Sequence, residues 1–230
     1  MTVGIVILGI VAVLLFFGAA ERYFDRLGMT SWLTFLVVLA LIIGAVMPEV
    51  RTERFVMTVG GFVVPAVVFV LVFVLAAKNG NALRTLLATV AAGALCAGFR
   101  LITGITTTGG LTAFFLLTGI IGGAVAFAFA GSRLGSAAAV FGGCIAGDIV
   151  SMAVLRAYGA SVFTLGGYGI FDAMIVGCAS ALILAEAVYA ARRSIEDRRI
   201  AAERLSAEVA EDAAFENKDD PSDNDLYGGD

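Results

Sequence analysis

Histidine is absent from this chain of 230 residues. That gap removes the zinc metalloprotease helix signature, histidine-dependent serine hydrolase dyads and ordinary haem ligation. Cysteine is scarce: Cys96, Cys144 and Cys178 all fall in long apolar stretches and share no metal-ligand spacing. They read as buried free thiols, with no disulfide or redox role expected. Charge is scarce as well. Only 15% of residues are charged while 60% are hydrophobic, and mean hydropathy is +0.98, a composition that no soluble domain of this size requires. If the chain is catalytic, its acid and base are carboxylates; neither a metal nor a cofactor is implied.

What remains is long apolar runs. A ~30 Å hydrocarbon core takes about 20 residues of helix, and windows of that length fall at 2–20, 30–48, 56–77, 82–102, 109–130, 134–156 and 166–190. The first could be a signal peptide, but no basic residue precedes it and Glu21-Arg22 follows without a cleavage site, so it reads as a retained helix. The expected fold class is therefore all-α: a polytopic transmembrane helix bundle of about seven spans. Lys and Arg near span ends stay cytoplasmic. With seven spans and the C-terminus inside, the inner segments hold ten basic residues and the outer ones four, Arg51, Arg54, Arg100 and Arg156. The expectation is a prokaryotic inner-membrane protein, N-terminus outside.

Charge divides the chain further. Residues 1–190 carry net +2 and residues 191–230 net −6, together the overall −4. The transmembrane domain is thus expected over 1–190. Residues 191–210 alternate Arg, Glu and Ala around Ile195, Ile200, Leu205 and Val209, which reads as an amphipathic cytoplasmic helix. The acidic segment 211–230, with Pro221 and Gly228-Gly229, cannot bury a core and reads as a disordered tail.

Two segments repeat: TVGGFVVPAVV from Thr58 and TLGGYGIFDAM from Thr164. Each opens an odd-numbered span, so both should enter from the outer face in the same direction. Gly60 and Gly61 ahead of Pro65, and Gly166, Gly167 and Gly169 ahead of Phe171-Asp172, point to a broken or re-entrant helix near each glycine pair. Proline lacks a donor and crowds the carbonyl one turn back, while glycine accommodates the resulting backbone.

Within the apolar body, Asp148 and Asp172 stand out, because a carboxylate at bilayer depth costs several kcal/mol unless paired or hydrated. Helical rise places both about 12 Å from the outer end of their spans. Small residues at Ala139, Gly143 and Gly147, and at Gly169, Ala173 and Gly177, would bring the two helices together. Arg100 falls in the same layer by the same rise, so an ion pair with either aspartate is expected as an alternative to an acid pair. Tyr168, one turn before Asp172, is placed to donate to a carboxylate or to sit in the interfacial belt.

Together, TVGGFVVP (58–65), AGDIVSM (146–152) and LGGYGIFDAMIVG (165–177) resemble the domain of unknown function 1614 family of bacterial and archaeal membrane proteins, over roughly residues 30–190. The matching positions are Gly60, Gly61 and Pro65, then Gly147 and Asp148, then Gly166, Gly167, Gly169, Phe171 and Asp172. The chain departs from that pattern at Tyr168 and in GITTTGG (104–110). The resemblance implies a shared architecture and site but no reaction.

Three functions follow as expectations. In the leading one, Asp148 and Asp172 form a paired site that shares a proton or binds a cation, in a coupled transporter or permeation protein. In the second, the pair activates water as in intramembrane aspartyl proteases, although no catalytic residue beyond these candidates can be assigned. In the third, the buried charges serve assembly alone in a non-catalytic scaffold. The expected partners are the lipid bilayer, a small solute or cation and a second copy of the chain; nucleic acid is not among them.

Overall fold

The computed structural model describes residues 2–16, 30–53, 55–103, 111–158, 163–167 and 169–216. Tyr168 and the 104–110 connection lie outside them, as do residues 217–230. Seven α-helices occur among the described residues: α1 (Thr2–Phe16), α2 (Ser31–Val46), α3 (Val64–Lys78), α4 (Ala82–Thr103), α5 (Leu111–Ala130), α6 (Arg133–Ala157) and α7 (Ile170–Glu216). Four stretches are long and apolar enough to cross a membrane: Val59–Lys78, Ala82–Ile102, Arg133–Ala157 and Ile170–Ala207. The other three helices, α1, α2 and α5, are apolar as well. Their apolar residues run around the whole circumference instead of along one stripe, as befits a helix with no water-facing side.

The chain divides into two units, Met1–Ala185 and Glu186–Asp230. In the first, α6 is the central helix: 61% of its most apolar window is buried, against 39% for α4. Lipid is as apolar as leucine, so close packing holds such helices together rather than hydrophobic burial. The α4–α6 seam meets that need with small residues. A Cβ on Gly143 would lie 2.7 Å from the Ala92 Cβ, and one on Gly147 would lie 2.7 Å from the Gly93 carbonyl oxygen.

The small residues expected to join α6 and α7 serve more than that one approach. Gly143 and Gly147 face α4, Ala173 receives α5, where a Cβ on Gly119 would stand 2.6 Å from the Ala173 carbonyl oxygen, and Gly177 lies against both neighbours, a Cβ there meeting Val140 of α6 at 2.9 Å and the Gly119 carbonyl oxygen at 3.0 Å. A row of small residues records that a helix approaches closely, and not which one does. Here α4 and α5 carry small residues of their own to offer.

The helix interruption at the first glycine pair is a single π turn, Val59–Val63. Pro65 has no N–H to give to Gly61, and its ring crowds that carbonyl. The ladder is widened at that point: the Val64 amide donates to the Val59 carbonyl five residues back, and regular α3 follows. The second glycine pair lies ahead of its helix. Gly166 has φ +72 and Gly169 φ +81, the left-handed region that glycine enters without penalty, and α7 begins only at Ile170.

One element is absent from the sequence reading. Strands β1 (Val50–Thr52), β2 (Phe55–Met57) and β3 (Phe163–Leu165) form a small sheet in that order. β1 and β2 pair antiparallel, while β2 and β3 run parallel with Val56 opposite Thr164 and Met57 opposite Leu165. The two repeated segments thus lie side by side in the same direction. Thr58 extends the pairing, donating both its amide and its hydroxyl to the Leu165 carbonyl at 3.0 Å. Beyond it Gly61 packs directly on Gly166, where a Cβ on Gly166 would meet the Phe62 amide nitrogen at 2.7 Å.

In the second unit, α7 passes Glu211, where the acidic composition begins, and ends at Glu216. Arg199 and Glu203 make an exposed i,i+4 pair at 3.1 Å, worth about 0.3–0.5 kcal/mol. Ile195, Ile200 and Leu205 are all exposed. At 3.6 residues per turn, Ile195 and Leu205 lie about 80° apart on one side of the helix, and Ile200 lies on the other.

Candidate functional site

Among the described residues, the three buried charged residues of the first unit lie near the end of α4, the start of α7 and the sheet. Arg100, Asp148 and Asp172 are 6%, 2% and 3% exposed, which is unusual for side chains of this kind. Arg100, in the last turn of α4, forms an ion pair with the Oδ1 of Asp148 on α6. The other carboxylate oxygen of Asp148 accepts the Gly166 amide at 2.6 Å, and Arg100 also donates to the Thr164 carbonyl at 3.3 Å. One guanidinium and one carboxylate therefore bind α4, α6 and the strand leading into α7.

Asp172 sits in the first turn of α7, where the positive end of the helix dipole favours a carboxylate. Its Oδ1 accepts the Gly4 amide at 2.8 Å. Gly4 is in the first turn of α1, among the amides that have no partner within their own helix, so Asp172 caps α1 from a neighbouring helix. The absence of a side chain at Gly4 makes this approach feasible, since a Cβ there would stand 2.8 Å from the same oxygen.

Of the arrangements expected from the sequence, the Arg100–Asp148 ion pair is the one seen at Asp148, and Asp172 accepts from Gly4. The remaining site residues divide by role. Gly61 and Gly166 form the contact between the repeated segments, and Gly60 packs on Gly44 of α2. Pro65 sets the π turn, Gly147 lies in the α4–α6 seam and Gly169 packs on Phe115. Gly167 accepts the Ile170 amide at 3.2 Å, and Phe171 is fully buried. Tyr168 falls outside the described residues.

Beside the ion pair is a cavity of about 20 Å³, lined by Arg100 and Asp148 together with Cys96, Phe115, Thr118 and Cys144. It holds about one water molecule. Sequence reasoning missed the two thiols here: Cys96 and Cys144 lie 3.4 Å apart, sulfur to sulfur. A signal for them was present. Cys96 stands four residues before Arg100 and Cys144 four before Asp148, so any contact between the charged pair carries the thiols into contact one turn away.

Among the described residues no group of three or more His, Cys, Asp or Glu comes together in a way that would hold a metal ion. Comparison with protein-family models, curated proteins and solved structures finds no match to this chain. Fold and site therefore define a class only: an all-α bundle with helices of membrane-crossing length and a buried ionic layer.

Proposed function

We propose that this chain is a small multi-pass membrane protein that moves a cation or small polar solute, with Arg100, Asp148 and Asp172 as the layer that controls passage. In this reading all seven apolar helices cross a prokaryotic inner membrane, N-terminus outside and C-terminus in the cytoplasm, and the sheet lies at the outer end. Membership of the domain of unknown function 1614 family belongs to the same proposal. The observation that supports it is the buried Arg100–Asp148 pair bordering a small cavity in a bundle built mainly of apolar side chains. Ionisable groups at such depth ordinarily line a substrate or ion path.

Aspartyl hydrolysis has less support. It needs two carboxylates on one water, and here Asp148 is engaged by Arg100 and by the Gly166 amide, an arrangement suited to holding helices in register.

The test is flux in proteoliposomes under an imposed potential, with protons, sodium and potassium as probes. Asp172→Asn keeps an acceptor oxygen for Gly4 while removing the charge, so the fold survives and flux falls to that of empty liposomes. Wild-type liposomes no leakier than empty ones to all three probes, or full flux in Asp172→Asn, would overturn the reading.

A further inference from the structure

We infer that Cys96 and Cys144 form a redox-active dithiol that closes to a disulfide across the α4–α6 seam, with a small uncharged peroxide as oxidant. The inference does not depend on the transport reading. It stands on three observations: the 3.4 Å separation of the sulfurs, the glycine-lined seam that brings the two backbones together at Gly143 and Gly147, and the cavity that both thiols border.

A disulfide needs its sulfurs at about 2.04 Å and its β-carbons at about 3.5–4.5 Å, which most helix pairs cannot offer because their axes stand too far apart. Here the seam lacks side chains at the positions flanking the thiols. A Cβ on Gly147 would lie 2.8 Å from the Cys96 Cβ, and one on Gly143 would lie 3.0 Å from the Gly93 amide nitrogen. Both cysteines are free in this structure, so the reduced state is the one described. Closing the bond takes side-chain rotation and about 1.4 Å of approach between the sulfurs.

Cavity size selects the oxidant. A space of about 20 Å³ admits a molecule on the scale of water, and hydrogen peroxide belongs to that scale while quinones and glutathione do not. Cys96, the less buried of the two, attacks one peroxide oxygen. The O–O bond breaks, the S–O bond of a sulfenic acid forms, and the thiol proton leaves with the departing hydroxide as water. Cys144 then displaces the sulfenic oxygen, which takes up the Cys144 proton and leaves as a second water. Two thiols and one peroxide become one disulfide and two waters. The crosslink would fix α4 to α6 one turn from the Arg100–Asp148 pair.

The experiment uses the full chain in lipid nanodiscs, treated with hydrogen peroxide. Thiols are then alkylated with N-ethylmaleimide under denaturing conditions and read by intact mass and peptide mapping. The reduced protein takes three adducts, one per cysteine. After oxidation one adduct remains, on Cys178, with a Cys96–Cys144 linked peptide that dithiothreitol releases. Cys96→Ser and Cys144→Ser each abolish the link, and Cys178→Ser keeps it. Three free thiols after peroxide, oxidation halting at Cys96 without a link, or a link between two chains would each overturn the inference.

Discussion

At the Arg100–Asp148 contact, electrostatics and desolvation oppose each other. Burying either charge alone costs several kcal/mol, and the pair offsets that cost only while both members are present. Arg100→Gln or Asp148→Asn alone should destabilise the fold by about 3–5 kcal/mol, whereas the double replacement should recover most of that loss; denaturant titration in detergent measures all three. Equal destabilisation by the double and the singles would show that the charges act independently. Gly166 offers a second residue-scale check. Its φ of +72 imposes roughly 1–2 kcal/mol on any L residue, and a Cβ there also meets the Phe62 amide. Gly166→Ala should therefore cost more than that strain alone, read as a lowered unfolding midpoint. How much of this layer was legible follows from what sequence encodes. Arg100, Asp148 and Asp172 stand out because charge is rare in apolar runs. Helical rise gives a side chain's height but not its direction around the bundle, so it left open which aspartate Arg100 would meet. The Gly4 amide that Asp172 caps carries no side-chain signal at all.

Among the elements, the helices were readable from apolar runs of membrane length, and the break near Pro65 from the missing amide. The sheet was not. Each strand is three residues long, too short for alternation to separate it from a connecting loop, and its parallel pairing joins segments more than 100 residues apart. The repeat was the one trace of it, because TVGGF and TLGGY place a glycine of each copy at the contact where the chains touch. This separates two neighbouring substitutions. Pro65→Ala trims ring carbons from a fully buried site but returns an amide that the Gly61 carbonyl can accept, so the π turn should relax while stability falls only modestly. Gly61→Ala instead drives a methyl group into the Gly166 carbonyl; it should lower the unfolding midpoint sharply and loosen the β2–β3 pairing, seen as faster amide exchange at Thr58.

On the scale of the molecule, the charge distribution carries the argument. Basic residues outnumber acidic ones before residue 190 and the reverse holds after it, so the tail alone makes the chain acidic. Anionic side chains contribute little to orientation, whereas Lys and Arg close to the span ends contribute strongly. The cluster Arg192, Arg193, Arg198 and Arg199 directly follows the last apolar run and should hold that end in the cytoplasm despite the acid beyond it. A C-terminal green fluorescent protein fusion should fluoresce and an alkaline phosphatase fusion at the same point should be inactive; the opposite pattern would invert the topology and put the ionic layer at the cytoplasmic end. The same reasoning separates transport from scaffolding. If the tail's function is to recruit partners, deleting residues 211–230 should abolish activity in cells while Asp172→Asn has little effect. If the buried layer is the working part, the deletion should leave proteoliposome flux unchanged and Asp172→Asn should remove it, because the charges of that layer are buried within the first unit.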